Sequence, residues 1–199
     1  GGAPRARPAA PPRVACRPDL LCRDFTAVRP NSRWVADFTY LRSWEGVSFF
    51  SFVLDVHSRY LCGWQFATNM RTDLVEDALQ MAVAARNPDP LLELVHHSDR
   101  GSQYSSGQFA EALAGHDILA SVGAVGSAYD NAMAESLVDS FKTELIADRA
   151  WRSHAQPDEA TAAWVGWYNN HRIHSQLRAG TPGAFASHPH PARGPQRAA

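Results

Sequence analysis

Cysteine, net charge and long apolar runs are all scarce in this chain of 199 residues. Its three cysteines, Cys16, Cys22 and Cys62, form neither an even set nor a C-x-x-C pair. That excludes a disulfide framework and a zinc knuckle, and it points to a reducing, cytoplasmic setting. No apolar run approaches the roughly 18 residues that a membrane helix needs, so no membrane partner is expected. The N-terminal stretch "GGAPRARPAAPPR" has no apolar segment behind its arginines, so no secretory signal is indicated either. The chain begins with Gly, as a fragment or the back half of a longer product would.

The net charge of −1 is unevenly spread. Residues 1–33 hold seven arginines against Asp19 and Asp24, and the remainder holds more carboxylates than cations. A basic arm thus precedes an acidic body, a body suited to holding metal cations. At 45% hydrophobic and 20% charged, the body has enough apolar content for one domain of about 150 residues with a real core. Six of the 13 prolines fall in the first 33 residues. An Ala/Pro/Arg mixture of that kind cannot bury a core, and residues 1–30 read as a disordered or linker arm.

Beyond Asn31 come three runs rich in aromatic and β-branched residues: "WVADFTYL" (34–41), "VSFFSFVLDV" (47–56) and "YLCGWQFAT" (60–68). Their short connections predict an antiparallel meander. Thr72–Arg86 has helical spacing, with Thr72 as its N-cap and "NPDP" as its stop. "LLELVHH" reads as a fourth strand, Ser106–Ala114 as a helix ended by Gly115, and "DILASV" as a fifth strand. Gly123 and Gly126 mark a loop, after which Ser127 or Asp130 caps a long helix running to about Arg149. The order βββαβαβα implies an α/β fold with a mixed sheet, its later strands joined by crossover helices.

Three carboxylates stand out. Asp37 lies inside an otherwise apolar strand, where a charge needs a cation, a partner or solvent. Asp99, in "HHSDRGSQY", follows a strand that stops in a glycine turn, a place where sheets hold catalytic groups. The same residues also suit a plain surface turn. Glu135 lies on the first turns of the long helix and can point back toward the glycine loop. Asp55, at the tight turn of "VLDVHSR", reads as structural; Asp130 suits a cap, and Asp139 is a further acid one turn after Glu135. His96-His97 and His171-x-x-His174 fit no zinc spacing, and adjacent strand residues point to opposite faces.

Taken together, "WVADFTYL", "VLDVHSRYLCGW", "HHSDRGSQYSS", "SVGAVGSAYDNAMAESLVDSFKTEL" and "YNNHRIHSQLRAGTP" resemble the DDE transposases of bacterial insertion sequences, whose catalytic core is similar to retroviral integrase. The resemblance covers about residues 24–186. It implies a ribonuclease-H-like fold: a five-stranded mixed sheet, three strands antiparallel, flanked by helices. It divides the chain into an arm (1–30), an integrase-like core (31–150), a C-terminal helical extension (151–186) and a flexible tail (187–199). It also implies a catalytic and metal-binding triad of Asp37, Asp99 and Glu135, leaves Asp55 outside that triad, and makes His97 a supporting residue.

The chemistry agrees with that set. Cutting and rejoining a phosphodiester needs a deprotonated oxygen nucleophile and a stabilised leaving 3′ oxygen, which two Mg²⁺ ions roughly 3.5–4 Å apart supply. Hard cations such as Mg²⁺ or Mn²⁺ prefer oxygen ligands. The expected function is metal-dependent cleavage of DNA ends and strand transfer. The alternatives are a ribonuclease-H-like nuclease without transfer and a DNA-binding relic without catalysis.

DNA contacts are expected from Lys142, the one lysine of the chain, which seven helical steps return to the face of Glu135. An exposed lysine pairing with Asp139 or Glu144 is the bland alternative. Arg100, Gln103 and Tyr104, in the turn after Asp99, are further candidates. "WVGWYNNHRIHSQL" reads as a terminal helix with an aromatic packing face. The family's Gly-aromatic pair before "TP" is replaced by Arg178-Ala179, so the packing of the tail departs from the family's. Sequence readout is expected from an upstream helix-turn-helix segment or protein, with the chain acting as a homo-oligomer on nucleoid DNA in a bacterial cytoplasm.

Overall fold

A computed structural model describes residues 19–21, 24–90, 92–123, 132–147 and 149–187. Strands β1 (Arg33–Ser43), β2 (Gly46–Asp55) and β3 (Leu61–Ala67) form the meander. The β1–β2 register runs from Trp34 opposite Asp55 to Ser43 opposite Gly46, so Trp44 and Glu45 make a two-residue hairpin turn. Gly46 leaves that turn at φ 132°, a conformation that favours glycine. Helix α1 (Thr72–Arg86) then carries the chain to β4 (Leu94–Ser98), and α2 (Gly107–Ala114) carries it to β5 (Ile118–Val122). Both later strands are parallel to their neighbours, giving the sheet order β3-β2-β1-β4-β5.

Strand alternation sorts the core onto two faces. Trp34, Ala36 and Val53 pack with Val75, Leu79 and Phe109 of α1 and α2. Val35, Phe50 and Phe52 pack with Leu137 and Phe141 of α3 (Ala132–Phe141) and with Trp164 and Tyr168 of α4 (Ala155–Asn170). Phe50 stacks on Phe141 with ring centroids 4.5 Å apart. Where α1 crosses β3, a Cβ on Gly63 would lie 2.1 Å from the Ala78 carbonyl oxygen, so that close approach needs glycine. No helix among the described residues is long and apolar enough to cross a membrane.

Several local expectations need correction. The fourth strand begins at Leu94 rather than Leu91, because the Leu92 N–H is taken up in a turn by the Asp89 carbonyl. Thr72 is the first helical residue of α1, with Arg71 before it and no side-chain cap. Ser106 does cap α2, accepting from the Phe109 N–H at 3.1 Å. The long helix is α-helical only to Phe141, and Lys142–Ile146 form a π turn. Its expected caps, Ser127 and Asp130, and Gly126 of the loop before it lie outside the described residues.

The terminal helix ends at Asn170, not Leu177. The Asn169 side chain bonds both the N–H and the C=O of Leu61 on β3, at 2.9 and 3.0 Å, and fixes the helix end there. Beyond it come a 3-10 turn (Ser175–Leu177) and α5 (Pro182–Ser187). Of the N-terminal arm, residues 1–18 lie outside the described residues, as do residues 188–199 of the tail. Within the rest of the arm Leu21 is buried, and the Leu20 N–H donates to Ser121 Oγ at 2.9 Å.

Candidate active site

The sheet itself brings two carboxylates together. β1 and β4 run parallel with Val35 opposite His97 and Ala36 opposite Ser98. One residue further along the chain from that last pair come Asp37, still on β1, and Asp99, just past the end of β4. Asp37 is partly buried, and its Oδ1 accepts the Phe38 N–H at 2.8 Å. Asp99 has left the strand and is exposed; its Oδ1 accepts the Gly101 N–H at 2.9 Å.

Glu135 stands exposed on the first turn of α3, which packs on the same face of the sheet. Burial raises the Asp37 carboxyl to about 7, the Phe38 hydrogen bond opposes the rise, and the negative charges of Asp99 and Glu135 add to it. The charges of Asp99, in the β4 turn, and Glu135, on α3, therefore both act on Asp37. The charge of Lys142 acts on it too, in the opposite direction. The Lys142 ammonium lies 5.7 Å from the centre of the Tyr40 ring. Glu144, one of its expected pairing partners, instead accepts from Arg172 at 2.8 Å and from Trp164 Nε1 at 3.1 Å.

The remaining expected site residues divide by exposure. Arg100 is exposed, with Nε donating to the Gly123 carbonyl at 3.0 Å. Gln103 and Tyr104, the other expected DNA contacts, are both buried. Gln103 donates to the Met70 carbonyl at 3.3 Å and accepts from Ser102 at 3.2 Å. Tyr104 packs between Phe38, His96 and Phe109; burial, and then the charge of Asp37, push its phenol up.

The histidine pair splits as alternation demands. His96 lies against Phe109, whereas His97 meets Phe25 edge-on and places Nδ1 2.8 Å from Ser121 Oγ. Asp55 is fully buried and accepts from the Asn31 and Ser58 N–H groups and the Ser58 hydroxyl at 2.7, 2.8 and 2.8 Å, which uses its carboxylate in shaping the turn.

Among the described residues no group of three or more His, Cys, Asp or Glu side chains is placed to hold a metal ion. The donor chemistry nevertheless fits a hard divalent cation. The groups whose charges act on Asp37 against ionisation are carboxylates, and a cation would offset both that repulsion and the cost of its burial.

Two features were missed in the sequence. One is a hollow of about 630 Å³ lined by Arg59, Ser140, Tyr168, Arg172 and His174 but by none of the three carboxylates. Burial, and then the two arginines, hold His174 down at about 4. The other is the pairing of exposed rings with cations on the β1–β2 hairpin, signalled only by "RSWEG", a tryptophan among turn residues.

Two family models match, both described as integrase core domain, over residues 27–128 and 116–182. The chain is 44% identical over 177 residues to the putative transposase for insertion sequence element IS986/IS6110 of Mycobacterium tuberculosis, covering 87% of this chain and 64% of that protein. It is 43% identical over 159 residues to the transposase for insertion sequence element IS629 of Shigella sonnei, covering 80% and 53%. The chain thus spans between about half and two thirds of the length of these relatives.

Among solved structures, a chain of the simian T-cell lymphotropic virus intasome in complex with PP2A regulatory subunit B56 gamma superposes with TM-score 0.70 at 15% identity, covering 87% of this chain and 62% of that one. The HTLV-2 integrase catalytic core in complex with magnesium gives 0.58 at 15%, covering 82% and 100%. These likenesses show the fold, which is the ribonuclease-H-like fold of retroviral integrase cores.

Proposed function

The chain belongs to the integrase core domain family, and from that premise we propose that it is the catalytic part of a bacterial insertion-sequence transposase, cutting DNA at the element's ends and joining the 3′-OH ends to a new phosphodiester. The observation that supports this reading best is the parallel register of β1 and β4, which sets Asp37 beside the turn that carries Asp99, with the charge of Glu135 acting on Asp37 as well. Asp37, Asp99 and Glu135 hold two divalent cations, Mg²⁺ or Mn²⁺. When bound, these supply Lewis-acid stabilisation of charge on the entering and leaving oxygens.

The protein's own groups have separable tasks. The Phe38 and Gly101 N–H groups hold one oxygen each of Asp37 and Asp99 in place, which leaves the other oxygens for the cations. Glu135, on a helix, closes the set from the other side. Lys142 meets a DNA phosphate and Arg100 the DNA near its cut end, while Gln103 and Tyr104 hold the turn behind Asp99 rather than touching substrate. The protein works as a homo-oligomer on DNA in a bacterial cytoplasm. Choice of the element's ends comes from a helix-turn-helix segment or protein upstream. The length of the relatives beyond the matched region supports this, as does the sequence-blind chemistry of carboxylate and phosphate contacts.

The test is to supply a pre-cut duplex with a free 3′-OH and a plasmid target, in Mg²⁺ and in EDTA. Joined product that needs the metal is expected. Nicked target with no joined product would reduce the protein to a ribonuclease-H-like nuclease.

A further inference from the structure

The β1–β2 hairpin carries large rings in water. Trp44, in its turn, is 75% exposed, and Tyr40, four residues earlier, is 55% exposed. A large apolar side chain left in solvent forgoes about 2 kcal/mol that burial would give, so two on one hairpin suggest a surface that is covered in use. Each ring also faces a cation. The Lys142 ammonium is 5.7 Å from the Tyr40 ring centre, and the Arg152 guanidinium is 5.5 Å from that of Trp44. A third pair, Arg149 over Trp151 at 5.7 Å, adjoins them, and the Trp44 N–H donates to the Trp151 carbonyl at 3.0 Å.

The charge balance here is positive. Arg42, also exposed, joins Lys142, Arg149 and Arg152. Against these stand Glu45, which accepts the His154 N–H at 2.8 Å, and Glu159, beside Arg149 and Trp151. Elsewhere among the described residues cations also lie over rings, Arg86 over Tyr60 and Arg172 over Tyr168, but Arg172 is paired with Glu144 as well.

The hairpin continues the strand that carries Asp37, with Tyr40 on the opposite face by alternation and Lys142 of the π turn over its ring. Tyr40 and Trp44 are three and seven residues along the chain from Asp37, or about 10 and 23 Å at strand rise. β4 accompanies β1 only from Arg33 to Ala36, so beyond Asp37 that side of β1 has no strand beside it among the described pairings. The distance to Trp44 matches about seven base steps of a duplex.

We propose that the β1–β2 hairpin is a DNA-contacting arm that carries the duplex away from the carboxylates, with Arg42, Lys142 and Arg152 on backbone phosphates and Tyr40 and Trp44 against sugars or bases. This rests on the catalytic reading above, from which DNA is the ligand. The chemistry fits a sequence-tolerant track: an aromatic face accepts any base or sugar, and a guanidinium over a ring still presents its planar fork to phosphate.

The experiment measures binding by the full-length protein in EDTA, so that no cutting or joining enters, to a duplex of about 40 base pairs over a range of salt. Tyr40→Ala with Trp44→Ala is expected to weaken binding by about tenfold or more. Arg152→Ala is expected to make the slope of log affinity against log salt shallower by about one. Both rings are exposed, so the unfolding midpoint and the mass by light scattering should stay as in wild type. Unchanged affinity and slope would overturn the proposal. So would a loss of mass with unchanged DNA binding per protomer, which would assign the hairpin to a contact between copies. Joining of a pre-cut end by the wild-type protein, scored separately, keeps the two ideas apart. Weakened binding without any joining in wild type would sink the catalytic reading and leave the hairpin standing, whereas normal joining with hairpin variants that bind normally would do the reverse.

Discussion

Asp37→Asn should stabilise the metal-free protein while removing its proposed chemistry. The wild-type carboxyl is raised from the ordinary 3.8 to about 7, first by burial and then by Asp99 and Glu135. A carboxyl raised on folding favours the folded state below about pH 4 and loses that contribution as the pH climbs through 7. The full difference corresponds to about 4 kcal/mol, and partial access of water to the site reduces this to about 2–4 kcal/mol. Asparagine keeps nearly the same volume and can still accept the Phe38 N–H, but it has no charge to repel. In EDTA at pH 8 the variant should therefore unfold at a higher urea concentration than wild type, and near pH 4 the gap should almost vanish. Mg²⁺ should stabilise wild type at pH 8 and leave the variant nearly unchanged. Equal differences between the two proteins at both pH values would refute the reasoning.

Lys142→Ala should weaken DNA binding and lower the salt slope by about one, with Mg²⁺ affinity nearly unchanged, in a salt titration of the two proteins. Asp55→Ala should cost about 2–4 kcal/mol in urea unfolding, because it orphans the buried Ser58 N–H and the partly buried Asn31 N–H; the fraction still folded should keep its joining activity. Arg178→Gly should raise stability by about 0.5–1 kcal/mol, measured the same way, since Arg178 holds a left-handed φ of 51° that glycine adopts without strain.

The sheet was legible because its signals are local. Period-two alternation in "WVADFTYL" already separates Asp37 from the Trp34 face, and the short connection "RSWEG" leaves the first two strands little choice but a hairpin. The position of Asp99 beside Asp37 was less legible from periodicity, since it depends on a parallel register between strands separated by α1. The triad that the resemblance implies needs the two close together, and the β1–β4 register brings their strands side by side. The burial of Tyr104 was not legible, because a turn reads as surface, whereas here the turn folds back over Phe38, His96 and Phe109. The early end of α4 was hidden for a similar reason. Asn169 reads as an ordinary helical polar residue until its two bonds to Leu61, 108 residues away, are seen. The Lys142 reading assumed an unbroken α-helix. A π turn begins at that residue, yet its charge still reaches Asp37.

The central claim is that Asp37, Asp99 and Glu135 act as one metal-holding set. Its most direct test is Mg²⁺-dependent joining of a pre-cut 3′-OH end by Asp37→Asn, Asp99→Asn and Glu135→Gln, each beside Asp139→Asn and wild type, with folding checked by urea unfolding. Each of the three is expected to fold and to join at background level, while Asp139→Asn joins as wild type does. An Asp99→Asn protein that folds and joins at the wild-type rate would contradict the claim.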